Sequence, residues 1–98
     1  MKKTYSKTKT PRRGRSEQAQ FYINRHPVCE ACHIIESQEV HHIVTRATGG
    51  PDEDWNFLAL CVGDHNLFHD RGFREFCRRF PDLKYKVEAA RLHMGRQV

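Results

Sequence analysis

No run of roughly 18 apolar residues occurs in the chain, so no membrane-spanning helix is expected. Nor does an apolar stretch of roughly 7–15 residues follow the basic start, which argues against a secretory signal. Acidic side chains are missing from the first fifteen positions, where Lys2, Lys3, Lys7, Lys9, Arg12, Arg13 and Arg15 give a charge of +7. Cysteine is scarce, at four residues. In a chain without a secretory signal these read as thiolates rather than disulfides, and the expected compartment is cytoplasmic. Internal repeats are absent too, which excludes a repeat array.

The length, 98 residues, suits one domain. Positions 1–15, with Pro11, Gly14 and almost no large apolar side chain, cannot bury enough surface to fold alone. They read as a basic flexible arm drawn to phosphates, or more blandly as a solubility tail. Residues 16–98 carry ten basic against twelve acidic residues, so the formal +5 belongs to the arm. That remainder is expected to form a single domain, small enough that a metal often supplements the core.

Ser16 is placed to cap a helix over 17–25, with Ala19, Tyr22 and Ile23 at helical spacing and Pro27 ending it. A tight turn follows at Cys29-Glu30-Ala31-Cys32. Residues 37–44 lead into a strand, 48–52 form a loop on turn chemistry, and 57–60 read as a buried second strand. A short helix starting at Gly63 or Asp64 is expected to stop near Gly72, followed by helices over 73–80 and 82–94. The fold class is α+β, a two-stranded antiparallel hairpin packed on helices. Phe57, Leu58, Leu60, Phe68, Phe73, Phe76 and Phe80 are core by default, with Trp55 capping it; His33 and His93 read as surface residues.

Two groups of residues carry chemistry. Cys29 and Cys32 have the spacing at which a tight turn points two sulfurs at one zinc ion, and Cys61 offers a third. A second knuckle would place cysteine at position 64, where Asp64 stands; Asp64, His33 and Cys77 are candidates for the fourth ligand, and three small buried cysteines without metal are the bland alternative. The second group is His41-His42 on a strand with His65 and His69 one helical turn apart. Adjacent strand residues face opposite ways and residues four apart on a helix share a face. Three imidazoles could therefore surround one metal while a fourth stays free for proton transfer. Periodicity does not say which of His41 and His42 plays which part, and Asn56 by itself is uninformative.

Taken in order, Cys29-x2-Cys32, His41-His42-Ile43, Arg46, Gly49-Gly50, the run from Asn56 to Cys61, His65 and His69 resemble an HNH endonuclease. That family, named for its His-Asn-His signature, belongs to the ββα-metal nucleases. The resemblance covers roughly residues 27–72 and implies a small ββα-metal fold with a zinc-ribbon-like pair of knuckles. It implies His41, His65 and His69 as ligands of a catalytic ion, His42 as general base, and Asn56 as the residue bracing the loop between the strands. Many members have Asp where His41 stands; histidine shifts the expected ion from Mg²⁺ towards Mn²⁺, Ni²⁺ or Zn²⁺. The missing fourth cysteine puts the structural zinc, though not the active site, in question.

Arg46, by charge and by the resemblance, is a candidate for gripping a phosphate, with a solvated loop arginine as the plain reading. Arg71, Arg74 and Arg78 form a basic helix face suited to a DNA backbone, as do Lys2, Lys3, Arg12 and Arg13 of the arm. The expectation is a metal-dependent DNA endonuclease leaving 5′-phosphate and 3′-hydroxyl ends, with little sequence specificity. A non-catalytic zinc-ribbon nucleic-acid module competes with it. The chain could also act as a homodimer, or in a phage or mobile-element machine where a partner chooses the substrate.

Overall fold

Four consecutive apolar residues, Phe57–Leu60, form a strand (β2) that is shut away from solvent along its whole length. Such a run must be covered on both sides, and it is. Phe57 and Ala59 point to one layer with Ala19, Tyr22 and Ile23, while Leu58 and Leu60 point to another with Phe68, Phe76, Val87 and Ala90. Fully burying a leucine is worth roughly 1.5–3 kcal/mol, so this strand is a main source of cohesion. A computed structural model describes residues 14–98; Lys2, Lys3, Arg12, Arg13 and the rest of the expected arm before Gly14 lie outside the described residues.

The partner strand is Glu39–His42 (β1), antiparallel to β2 with His41 opposite Leu58 and His42 opposite Phe57. Pairing runs on through Gln38 N to Leu60 O (2.9 Å) and Ile43 N to Asn56 O (2.8 Å). Side chains of a strand alternate between its two sides. Val40 and His42 thus share the layer of the first helix, Glu17–Arg25 (α1), and Glu39 and His41 share the layer of the second. Ser16 caps α1 as expected, its Oγ accepting from Ala19 N at 3.1 Å.

The second helix, Val62–Arg79 (α2), starts one or two residues earlier than expected, with Cys61 at its N-cap. Gly72 has φ 85° and ψ 170°, so the chain bends there without leaving a loop. The two expected helices are therefore joined at a kink only glycine accommodates easily. A 3-10 turn, Pro81–Leu83, precedes the last helix, Lys84–His93 (α3). The knuckle is closed by a bridge between Val28 and Glu36 and hung on β2 by Glu30 N to Ala59 O (2.9 Å). Below it, Lys86 of α3 donates to Tyr22 Oη (2.5 Å), and Tyr22 donates to Glu30 (2.6 Å), which also accepts from Ala59 N. Among the described residues no helix is long and apolar enough to cross a membrane.

Candidate active site

An open cleft of about 410 Å³ lies over β1 and the first turns of α2, lined by Arg15, His41, His42, Arg46, His65 and His69 among others. Pleat and helix period set its contents. His41 leaves β1 on the α2 side, and His65 and His69, four apart on α2, rise to meet it. One nitrogen from each of the three rings lies within 4.8 Å of the others. His65 Nε2 and His69 Nε2 are 3.1 Å apart, and the His41 ring sits 5.0 Å and 5.2 Å from theirs.

His41 is 3% exposed, and its Nε2 has no hydrogen-bond partner among the described residues. Leaving a buried polar atom unsatisfied costs about 1–3 kcal/mol. Burial, then the neighbouring His65, His69 and His42, press its pKa down to about 3. The ring is thus a neutral lone-pair donor aimed at two other imidazoles, the chemistry of a metal ligand. His65 is oriented to match. Its Nδ1 lies 2.5 Å from Glu39 Oε1 and donates to that carboxylate, which leaves Nε2 with a lone pair facing the cluster. The donor set fits a divalent ion.

His42 leaves the strand on the opposite side, edge-on to Phe57 (5.1 Å between centroids), and is not part of the imidazole cluster. Its Nε2 lies 2.6 Å from Asp52 Oδ1. Burial favours the neutral acid at Asp52, but bonds from His42, Ser16 and Arg46 outweigh it and hold the carboxyl at about 2. An ionised carboxylate only accepts. Nε2 therefore carries the proton, and Nδ1 of His42 keeps a free lone pair for proton uptake. Arg46 braces Asp52 through Nη2 (3.0 Å) and Nε (3.3 Å).

Asn56 is wholly buried between the strands. Its Oδ1 accepts from Val44 N (2.8 Å), and its Nδ2 donates to Val44 O and Pro51 O (3.0 Å each). Val44 follows His42 by two residues and Pro51 precedes Asp52, so one amide fixes both sides of the His42–Asp52 pair. Gly50 has no room for a side chain: a Cβ there would lie 1.7 Å from Val44 O.

At the knuckle, Cys29, Cys32, Cys61 and Asp64 bring one ligand atom each within 4.8 Å of one another. Cys29 Sγ donates to Asp64 Oδ2 at 3.2 Å. Burial pushes the Cys29 thiol up to about 12, against amide N–H groups of Cys32, Cys61 and Ala31 that favour a thiolate. Amides aimed at a buried sulfur suit a metal-bound thiolate, and the set fits tetrahedral zinc with one oxygen ligand. The other fourth-ligand candidates stand outside the group: His33 is exposed at φ 60°, and Cys77 is in the core.

The arginines divide. Arg78 grips Glu75 with two nitrogens (2.6 and 2.8 Å), and Arg79 shares the same carboxylate (2.9 Å). Arg71 and Arg74 are exposed, with Arg74 over the Phe73 ring. His93 is exposed, in keeping with its reading as a surface residue, and its ring packs at a tilt against Trp55 at 4.2 Å between centroids. Sequence reasoning missed Glu39 and Asp52. The signal for Glu39 was its parity with His41, two residues along the same strand; Asp52 had none beyond a turn-forming residue after Pro51.

Residues 29–71 match the family model described as HNH endonuclease, which spans the knuckle, both strands, His65 and His69. Searches of curated proteins and of solved structures return no match.

Proposed function

We propose, on the match of residues 29–71 to the HNH endonuclease family model, that the chain is a metal-dependent DNA endonuclease working at the histidine cleft. The observation that carries this reading is the buried, unpartnered His41 Nε2 facing His65 and His69, with a fourth imidazole held apart on the other side of the strand. His41, His65 and His69 would hold one divalent ion, and three imidazoles favour Mn²⁺, Ni²⁺ or Zn²⁺ over Mg²⁺. When bound, that ion supplies a positive charge to polarise the phosphoryl group and stabilise the departing 3′-oxygen.

The chain's own side chains do the rest. Asp52 fixes the His42 tautomer, so Nδ1 takes a proton from the attacking water. Water oxygen bonds to phosphorus as the bond to the 3′-oxygen breaks, and the departing oxygen takes a proton from solvent water, leaving a 5′-phosphate and a 3′-hydroxyl. Asn56 keeps the loop carrying both partners in place. One site per chain nicks one strand, so a double-strand break takes two chains or two encounters. Cys29, Cys32, Cys61 and Asp64 would hold a structural zinc, and the basic segment before residue 16 would add sequence-independent affinity.

Relaxation of supercoiled plasmid, measured with Mg²⁺, Mn²⁺, Ni²⁺ and Zn²⁺, tests the reading. Wild type should nick with at least one ion, and His42→Ala should lose about 10²–10⁴-fold in rate while still binding DNA. Mobility shifts without relaxation under any metal would leave the zinc-ribbon binding module instead.

A further inference from the structure

Beyond the Gly72 bend, Phe73 carries two cations. The Arg91 guanidinium carbon lies 3.8 Å from its ring centroid, and that of Arg74 lies 4.9 Å away. Arg91 lies in the last turn of α3; its Nε donates to Gln97 O (2.9 Å), and its carbonyl accepts from Arg96 N (2.7 Å). Arg96 in turn reaches back across the chain, its Nη2 donating to Thr48 O at 2.8 Å. Burial, then the fields of Arg74 and Arg96, weaken the hold of Arg91 on its proton, so the three charges feel one another.

Among the described residues no carboxylate forms an ion pair with any of the three. Glu75 is taken by Arg78 and Arg79, while Glu88 lines the groove beside Phe73 together with Lys84. Arg91 and Arg96 are half-buried. Like charges gathered this way repel unless an anion joins them. Their place says which anion. Thr48 closes the 3-10 turn Arg46–Thr48, and Arg46 opens it on the wall of the histidine cleft. From Arg46 to Thr48 the turn rises about 4 Å, comparable to one base step of a strand at about 3.4 Å. Arg46, offered by the resemblance for the phosphate, is already committed to Asp52.

The geometry points to Arg74, Arg91 and Arg96 as a phosphate-backbone clamp that holds the nucleic acid alongside the cleft, the C-terminal segment doing what Arg46 is not free to do. This rests on the endonuclease reading. Arginine suits the task because its fork of N–H donors matches two phosphate oxygens and its plane stacks on an aromatic ring.

The test is fluorescence anisotropy of a labelled DNA duplex with full-length protein in a cleavage-silent His42→Ala background, titrated from low to moderate salt. Replacing Arg91 and Arg96 by Gln keeps hydrogen-bonding side chains and removes both charges. The slope of log affinity against log salt should fall by about 0.9 for each phosphate that is no longer neutralised, and Arg91→Lys with Arg96→Lys should restore it. Arg74→Glu, at an exposed position, should weaken binding several-fold even where the double variant folds poorly. An unchanged slope in the folded glutamine pair, or unchanged affinity in Arg74→Glu, overturns the clamp. If the unaltered chain nicks DNA in that event, only the clamp falls; if it neither binds nor nicks DNA, the endonuclease reading falls with it.

Discussion

Each imidazole of the cleft owes its behaviour to its immediate neighbours. His65 is held by Glu39, and outer partners of this kind are typically worth 10–100-fold in metal affinity. Glu39→Ala should therefore weaken metal binding by about that factor in calorimetry; unchanged affinity would mean His65 needs no orienting partner. His41 bears on stability. In metal-free protein its folded pKa lies near 3, below the 6.5 of an unfolded imidazole. The stability it contributes is complete above pH 6.5 and is lost as pH falls towards 3, because the unfolded chain binds a proton the folded one refuses. One such proton gives a slope of at most about 1.4 kcal/mol per pH unit. Urea unfolding between pH 7 and 4 should show that slope shrinking in His41→Leu, and an identical slope would assign the acid sensitivity elsewhere. The histidines themselves were legible because spacing of one on a strand and four on a helix is visible in the letters. Asp52 was not: nothing local announces that a loop folds back ten residues to meet His42.

Two glycines decide how the elements meet. At Gly72 the backbone adopts φ 85° and ψ 170°, open only to glycine at low cost, and nothing crowds the missing side chain. Gly72→Ala should cost about 1–3 kcal/mol from backbone strain alone. At Gly50 the backbone is ordinary in φ, but an added methyl collides with Val44 O and meets the Asn56 amide at 2.9 Å. Gly50→Ala should thus damage stability and activity together, since the clash is with backbone and strikes the loop that aligns His42 with Asp52. Thermal unfolding and plasmid nicking of the two variants separate these outcomes; equal losses in both assays for both variants would refute the distinction. Helices and strands were readable from periodicity and from Ser16, Pro27 and Pro81. The kink was read as a full stop, because a glycine in sequence marks a break without saying whether the helix resumes at once.

Across the whole chain, the cysteine set joins the knuckle to the start of α2, and hence to the helix bearing His65 and His69. A zinc ion there would stabilise fold and cleft together, since metal binding free energy is folding free energy. Asp64→Cys should tighten zinc in competition with a chromophoric chelator and Asp64→Ala should loosen it; no difference between them would remove Asp64 from the ligand set. That Asp64 and not Cys77 or His33 joins the sulfurs could not be chosen from sequence, because the choice depends on where α2 begins relative to Cys61.

The ribbon Glu39–His42 runs beneath a single cleft, sending the His41 side chain to the α2 side and the His42 side chain to the α1 side. Slipping the strand by a single residue would leave composition, helices and cysteines untouched, yet send each imidazole to the wrong side. A lineage of such chains could therefore lengthen its loops, but could not add or drop one letter between Gln38 and Ile43 without exchanging the proposed metal holder for the proposed base.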